Sequence, residues 1–188
     1  MSPHELVFFY DLGRPECYLA AERIMAALPV PPEWEPVLGA EFEPEQLDRE
    51  TVERRAAALG LLPFRWPAVW PPDTRRAMLT ATFAKQAGRA VAFSLAGFRQ
   101  AFAGGRDLGE ESTVLLAAAA GEMHPAAVLK GIQTRAVRSA LAGAGARASD
   151  AGVRTLPAVL LDAEVFSGPT AVEQAARALA GRSAIRDL

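Results

Sequence analysis

Cysteine is nearly absent from this sequence: one residue, Cys17, in 188. A single thiol excludes an intrachain disulfide, a Cys-based zinc site and a C-x-x-C redox centre. Histidine is scarce too, with only His4 and His124, and neither has a catalytic partner nearby in sequence. Charge of one sign is not in excess. The 20 Lys+Arg against 22 Asp+Glu give a formal −2, which offers no electrostatic basis for binding nucleic acid. No apolar run approaches the roughly 18 residues needed to span a bilayer. Met1–Leu12 lacks a basic stretch and an A-x-A cleavage site, so no signal peptide is expected. These absences lead to the expectation of a cytoplasmic globular protein that binds no metal, no membrane and no nucleic acid.

What is present points to a packed, largely helical chain. Apolar residues make up 51% and charged residues 22% of the sequence, which argues against disorder. A chain of this length buries about 70% of its unfolded surface, enough for one domain or a domain carrying an insertion. There are 39 alanines, and 18 arginines stand against two lysines, Lys85 and Lys130. Alanine is the best helix former.

Glu5–Tyr10 (ELVFFY) is apolar and aromatic and ends at Asp11-Leu12-Gly13, a buried strand running into a turn. Pro15 suits the first turn of a helix, where its missing N–H costs nothing. Leu19, Ile24 and Leu28 support a helix from Pro15 to Leu28, which Pro29, Pro31 and Pro32 stop. Trp34, Val37 and Leu38 form a second strand, so the chain opens β-α-β with an expected parallel pair. Pro44–Leu59 has helical spacing, whereas Leu61–Pro72 holds four prolines and two tryptophans and is irregular. Asp73 is a plausible N-cap. Val91, Leu95, Phe98 and Phe102 make one stripe of a long helix. Thr113–Ala120 and Pro125–Ala142 read as two more helices, and Gly143–Gly152 as a loop. Leu156–Leu161 and Val165-Phe166 then form a hairpin. A last helix follows Gly168-Pro169, with Val172, Ala176 and Leu179 on one face.

The order β-α-β, helical block, β-β-α is that of a thioredoxin fold with a helical insertion, and it makes two places chemically special. At the start of the first helix, open backbone N–H groups and the helix dipole favour a thiolate or another anion. At the start of the third strand stands Pro157, in Thr155-Leu156-Pro157-Ala158. A cis bond there leaves the backbone of Leu156 available to an extended ligand; an ordinary strand-edge proline is the other reading.

Phe9-Tyr10-Asp11-Leu12-Gly13-Arg14-Pro15-Glu16-Cys17-Tyr18-Leu19 resembles the strand-to-helix start of kappa-class glutathione transferases and 2-hydroxychromene-2-carboxylate isomerases, roughly F-Y-D-x-x-S-P-Y-x-W-L. Both belong to the wider DsbA-type thioredoxin-like group, whose members carry C-P-x-C there. Gly152–Val159 looks like the segment that holds the family's cis-proline. The resemblance covers nearly the whole chain. It implies a thioredoxin-like domain from residues 1–42 and 149–188, an inserted helical domain over 43–148, a homodimer, and glutathione or another low-molecular-weight thiol as cofactor. The thiol is implied to sit at the start of the first helix beside Leu156 and Pro157.

The sequence departs from the family pattern where chemistry is concentrated. Arg14 stands in place of the catalytic serine or attacking cysteine, and arginine is no nucleophile. Cys17 falls at the resolving-cysteine position, and either a reactive thiol or a small buried helix residue satisfies it. Arg14 either holds an anion over the helix start or extends into water. Glu16 suits the first helical turn, as a base or as a partner of Arg14. Trp66 and Trp70 either line an aromatic pocket or pack an irregular loop. Ser167-Gly168-Pro169-Thr170 lacks the acidic residue that meets the γ-glutamyl amine in relatives. The expectation is a thiol-dependent isomerase, transferase or oxidoreductase acting on a small aromatic or carboxylated molecule, with Cys17, Arg14 and Glu16 as catalytic candidates. Pro15, Trp66, Trp70, Leu156 and Pro157 are the binding candidates. The alternative is a degenerate member that binds a small anion or a partner protein.

Overall fold

The computed structural model describes residues 5–44 and 47–186, with side chains through 182; His4 lies outside them. The strands β1 (Leu6–Tyr10), β2 (Glu33–Pro36), β3 (Ala158–Leu161) and β4 (Glu164–Ser167) form one sheet in the order β2-β1-β3-β4. β1 runs parallel to β2, with Phe8 opposite Trp34, and antiparallel to β3, with Phe9 opposite Ala158. The parallel step is crossed by α1 (Pro15–Ala27), as the short β-α-β spacing requires. β3 and β4 close as a hairpin at Asp162-Ala163, and α8 (Ala171–Arg186) returns over them.

The intervening helices are α2 (Arg49–Ala58), α3 (Arg75–Gln86), α4 (Ala90–Phe102), α5 (Glu111–Ala120), α6 (Pro125–Gly131) and α7 (Arg135–Asp150). α3 and α7 pack on β2, and α4 packs on α1. Glu35 on β2 is buried and neutralised by Lys85 of α3 at 2.6 Å and Arg147 of α7 at 2.9 Å. Phe8, Tyr10 and Trp34 meet at ring-centroid distances of 5.1–5.4 Å, and Tyr10 reaches Phe98 of α4 at 5.9 Å. Full burial of each such ring stabilises the fold by about 1.5–3 kcal/mol. Among the described residues, no single helix is long and apolar enough to cross a membrane.

Three sequence expectations change here. Pro125–Ala142, expected as one helix, is α6 and the first part of α7, with Thr134 starting the second. Val91, Leu95, Phe98 and Phe102 do share one helix, α4, which Gly88 at φ +71 separates from α3. The buried face of α4 is Phe93, Ser94, Gly97, Phe98, Ala101 and Phe102; Val91 and Leu95 are only half-buried. Gly143–Gly152 is mostly helix and not a loop. Thr134 caps α7, which continues to Asp150 because its glycines are embedded among alanines, the best helix formers; Glu41 approaches the helix closely at Gly145.

Candidate functional site

β1 delivers Asp11 to a sharp turn, and α1 starts four residues later, at Pro15. The turn is fixed by Asp11 itself. Its carboxylate, 2% exposed, accepts the Gly13 N–H at 2.7 Å and the Gly39 N–H at 2.7 Å, and the Thr74 hydroxyl donates to it at 2.9 Å. One side chain thus joins the α1 turn, the segment after β2 and the start of α3. Burial pushes its carboxyl above the usual range, against the pull of these three hydrogen bonds and of nearby Arg14.

Arg14 is the N-cap of α1, and no side chain caps the helix there. Its guanidinium does not extend into water. It donates to the carbonyls of Gly39 at 2.6 Å, Glu43 at 3.0 Å and Phe42 at 3.5 Å, holding the β2–α2 connection against the helix start. Gly39 is gripped on both sides, and a Cβ there would lie 3.0 Å from Arg14 Nε and 3.0 Å from Asp11 Oδ2. Only glycine fits without displacing one of them.

Around this floor lies a pocket of about 650 Å³. Leu38, Phe42 and Leu47 supply one apolar wall, and Trp70, Pro71 and Pro72 another. Asp73, Thr74 and Arg75 complete it at the start of α3. Thr74 is the N-cap of α3 but gives its hydroxyl to Asp11 instead of capping, while Asp73 Oδ1 accepts the Arg75 N–H at 3.0 Å. The cavity thus meets the start of α1 at Gly13 and Arg14 and the start of α3 at Thr74 and Arg75, whose N–H is already taken by Asp73.

The candidates named from sequence are dispersed by the fold. Arg14 and Trp70 line the pocket; Pro15 is buried at the first position of α1. Cys17 is 0% exposed within the hydrophobic core, so its sulfur does not face the pocket. Glu16, 6% exposed, does not pair with Arg14. It meets Arg55 of α2 at 2.6 Å, and Arg55 and Arg23 both donate to the Pro169 carbonyl at 2.8 Å, tying α1 and α2 to the start of α8. Burial raises the Glu16 carboxyl, opposed by Arg55 and Arg23. Trp66 stands behind Trp70 at 5.1 Å, with its indole N–H given to Glu53 at 2.7 Å and Arg49 over its ring at 4.7 Å. It packs the loop and does not line the pocket.

The Leu156–Pro157 bond is cis. The pairing of Phe9 with Ala158 places Pro157 at the end of β1 where the α1 turn begins. Just upstream, the Glu43 N–H donates to the Arg154 carbonyl at 2.9 Å. Among the described residues no group of three His, Cys, Asp or Glu side chains is placed to hold a metal ion. Asp11, Gly39, Thr74 and Arg75 are not among the site candidates named from sequence. Asp11 alone carried a signal, as the acidic residue closing the apolar strand in Phe9-Tyr10-Asp11.

A model of the DSBA-like thioredoxin domain matches residues 5–180. No curated protein matches the sequence. Among solved structures, a 2-hydroxychromene-2-carboxylate isomerase is similar with a TM-score of 0.82 at 18% identity, over 97% of each chain. A probable DsbA oxidoreductase from Streptomyces coelicolor gives 0.75 at 20% identity, over 94% of this chain and 88% of that one. The cytosolic disulfide reductase DsbM from Pseudomonas aeruginosa, solved with GSH, gives 0.65 at 18% identity, over 95% and 98%. At these identities the likeness to solved structures establishes the fold.

Proposed function

The chain belongs to the DSBA-like thioredoxin family, and from that premise we propose that it is a member without a nucleophile of its own, which binds a small carboxylated molecule with an apolar, ring-sized body in the pocket at the start of α1. One observation carries the reading. The position of the family's serine or cysteine holds Arg14, whose guanidinium is committed to three backbone carbonyls, while Cys17 is sealed in the core. The pocket supports it by volume, by its aromatic and proline walls, and by the exposed Arg75 on its lining.

Glutathione, which the resemblance implies, does not suit these residues. The Pro169 carbonyl is already taken by Arg23 and Arg55, and no acidic residue stands in Ser167–Thr170 to meet a γ-glutamyl amine. No step is therefore assigned to glutathione.

Calorimetric titration tests the reading with biphenyl-4-carboxylate, a two-ring acid scaled to the cavity, and with reduced glutathione. Saturable binding of the acid at one site per chain, with none of glutathione, is the expected result. Glutathione binding without binding of the acid overturns it.

A further inference from the structure

The polar side chains lining the pocket differ in what they already hold. Asp11 accepts three hydrogen bonds, and the Thr74 hydroxyl is one of their donors. Arg14 is spent on Gly39, Phe42 and Glu43. Asp73 turns Oδ1 onto the amide of Arg75. Arg75 itself is exposed at the pocket wall, and among the described residues no hydrogen bond or ion pair engages its guanidinium.

We propose that Arg75, and not Arg14, receives the ligand's carboxylate, with Trp70 and Phe42 flanking the apolar body; this rests on the pocket reading above. A guanidinium fork matches a carboxylate bidentately, with two parallel N–H donors. Arg75 supplies both without breaking an existing bond. Arg14 has to release the carbonyls that hold one wall of the pocket before it can do the same. Asp73 sets the limit on affinity. Its carboxylate stands one residue before Arg75 and repels an anion, so the two side chains act with opposite sign on one ligand.

The experiment compares biphenyl-4-carboxylate with its neutral isostere biphenyl-4-carboxamide on the full chain. Wild type is expected to prefer the carboxylate by about tenfold or more, the contribution of a charge-assisted pair. Arg75→Ala brings the two probes to within about threefold, whereas Arg75→Lys keeps part of the preference because charge remains and the fork is lost. Asp73→Asn strengthens carboxylate binding severalfold and leaves the carboxamide unchanged. Because the Arg75 side chain is exposed, its variants are expected to keep the wild-type thermal midpoint. A tenfold preference that survives Arg75→Ala overturns the assignment while the pocket reading stands. Failure of wild type to bind either probe overturns the pocket reading itself.

Discussion

Asp11 and Arg14 hold the same residue from opposite sides: Asp11 Oδ2 accepts the Gly39 N–H at 2.7 Å, and Arg14 Nη2 donates to the Gly39 carbonyl at 2.6 Å. Where the family resemblance implies a nucleophile, this chain carries a clamp. Its work is to fix the β2–α2 connection, which forms one wall of the pocket.

Removing the clamp tests that role. Arg14→Ala deletes charge-assisted hydrogen bonds to three carbonyls and is expected to cost about 1.5–3 kcal/mol in urea denaturation. Faster amide exchange over 39–43 accompanies it. A variant as stable as wild type, with unchanged exchange there, shows that Arg14 is a tolerated surface residue.

Gly39→Ala probes the same contact from the other side. A Cβ at 3.0 Å from Arg14 Nε and Asp11 Oδ2 forces one of them to shift. Overpacking of this kind costs about 1–3 kcal/mol. Chemical denaturation checks it, and a neutral substitution contradicts the geometry.

The helical block shows where sequence was a poor guide. β1, the start of α1 and the closing hairpin were legible because hydrophobic runs end at strong turn signals: Asp11-Leu12-Gly13, Pro15 and Asp162-Ala163. Helix boundaries between β2 and β3 were not. An alanine-rich chain is apolar on every face, so neither the break at Gly88 nor the continuation of α7 through Gly143 and Gly145 leaves a periodic mark. The site was half legible. Motif position located Arg14, but its partners are carbonyls of Gly39, Phe42 and Glu43, and no side-chain pattern encodes a carbonyl. Arg75 sits 61 residues away in sequence and reaches the pocket only through the packing of α3.

The Asp11 carboxyl gives the account a pH dependence. Burial raises its pKa in the folded chain above the unfolded value near 3.9. The native state then binds this proton more tightly than the unfolded chain does. The contribution is fully present below the unfolded pKa and is lost as pH rises through the folded one. Asp11→Asn removes the titration. In urea midpoints taken from pH 3 to 7, the stability of wild type relative to Asp11→Asn is expected to fall as pH rises. A relative stability that grows with pH shows that the three hydrogen bonds and Arg14 outweigh burial.

Redox chemistry provides a further check. With one cysteine, and that one 0% exposed, the protein has no dithiol to cycle and no accessible thiolate. No catalysed insulin reduction is expected. A disulfide-exchange reagent such as Ellman's is expected to react slowly with the native chain and stoichiometrically in denaturant. Insulin turnover abolished by Cys17→Ser contradicts the burial of Cys17.

The most direct test of the central claim is the position of a bound carboxylate, read from a crystal structure with biphenyl-4-carboxylate. The account expects the rings between Trp70 and Phe42, the carboxylate at hydrogen-bond distance from Arg75, and Arg14 still on the Gly39 carbonyl. A ligand seated instead against Cys17 or Pro157, with the pocket empty, contradicts it.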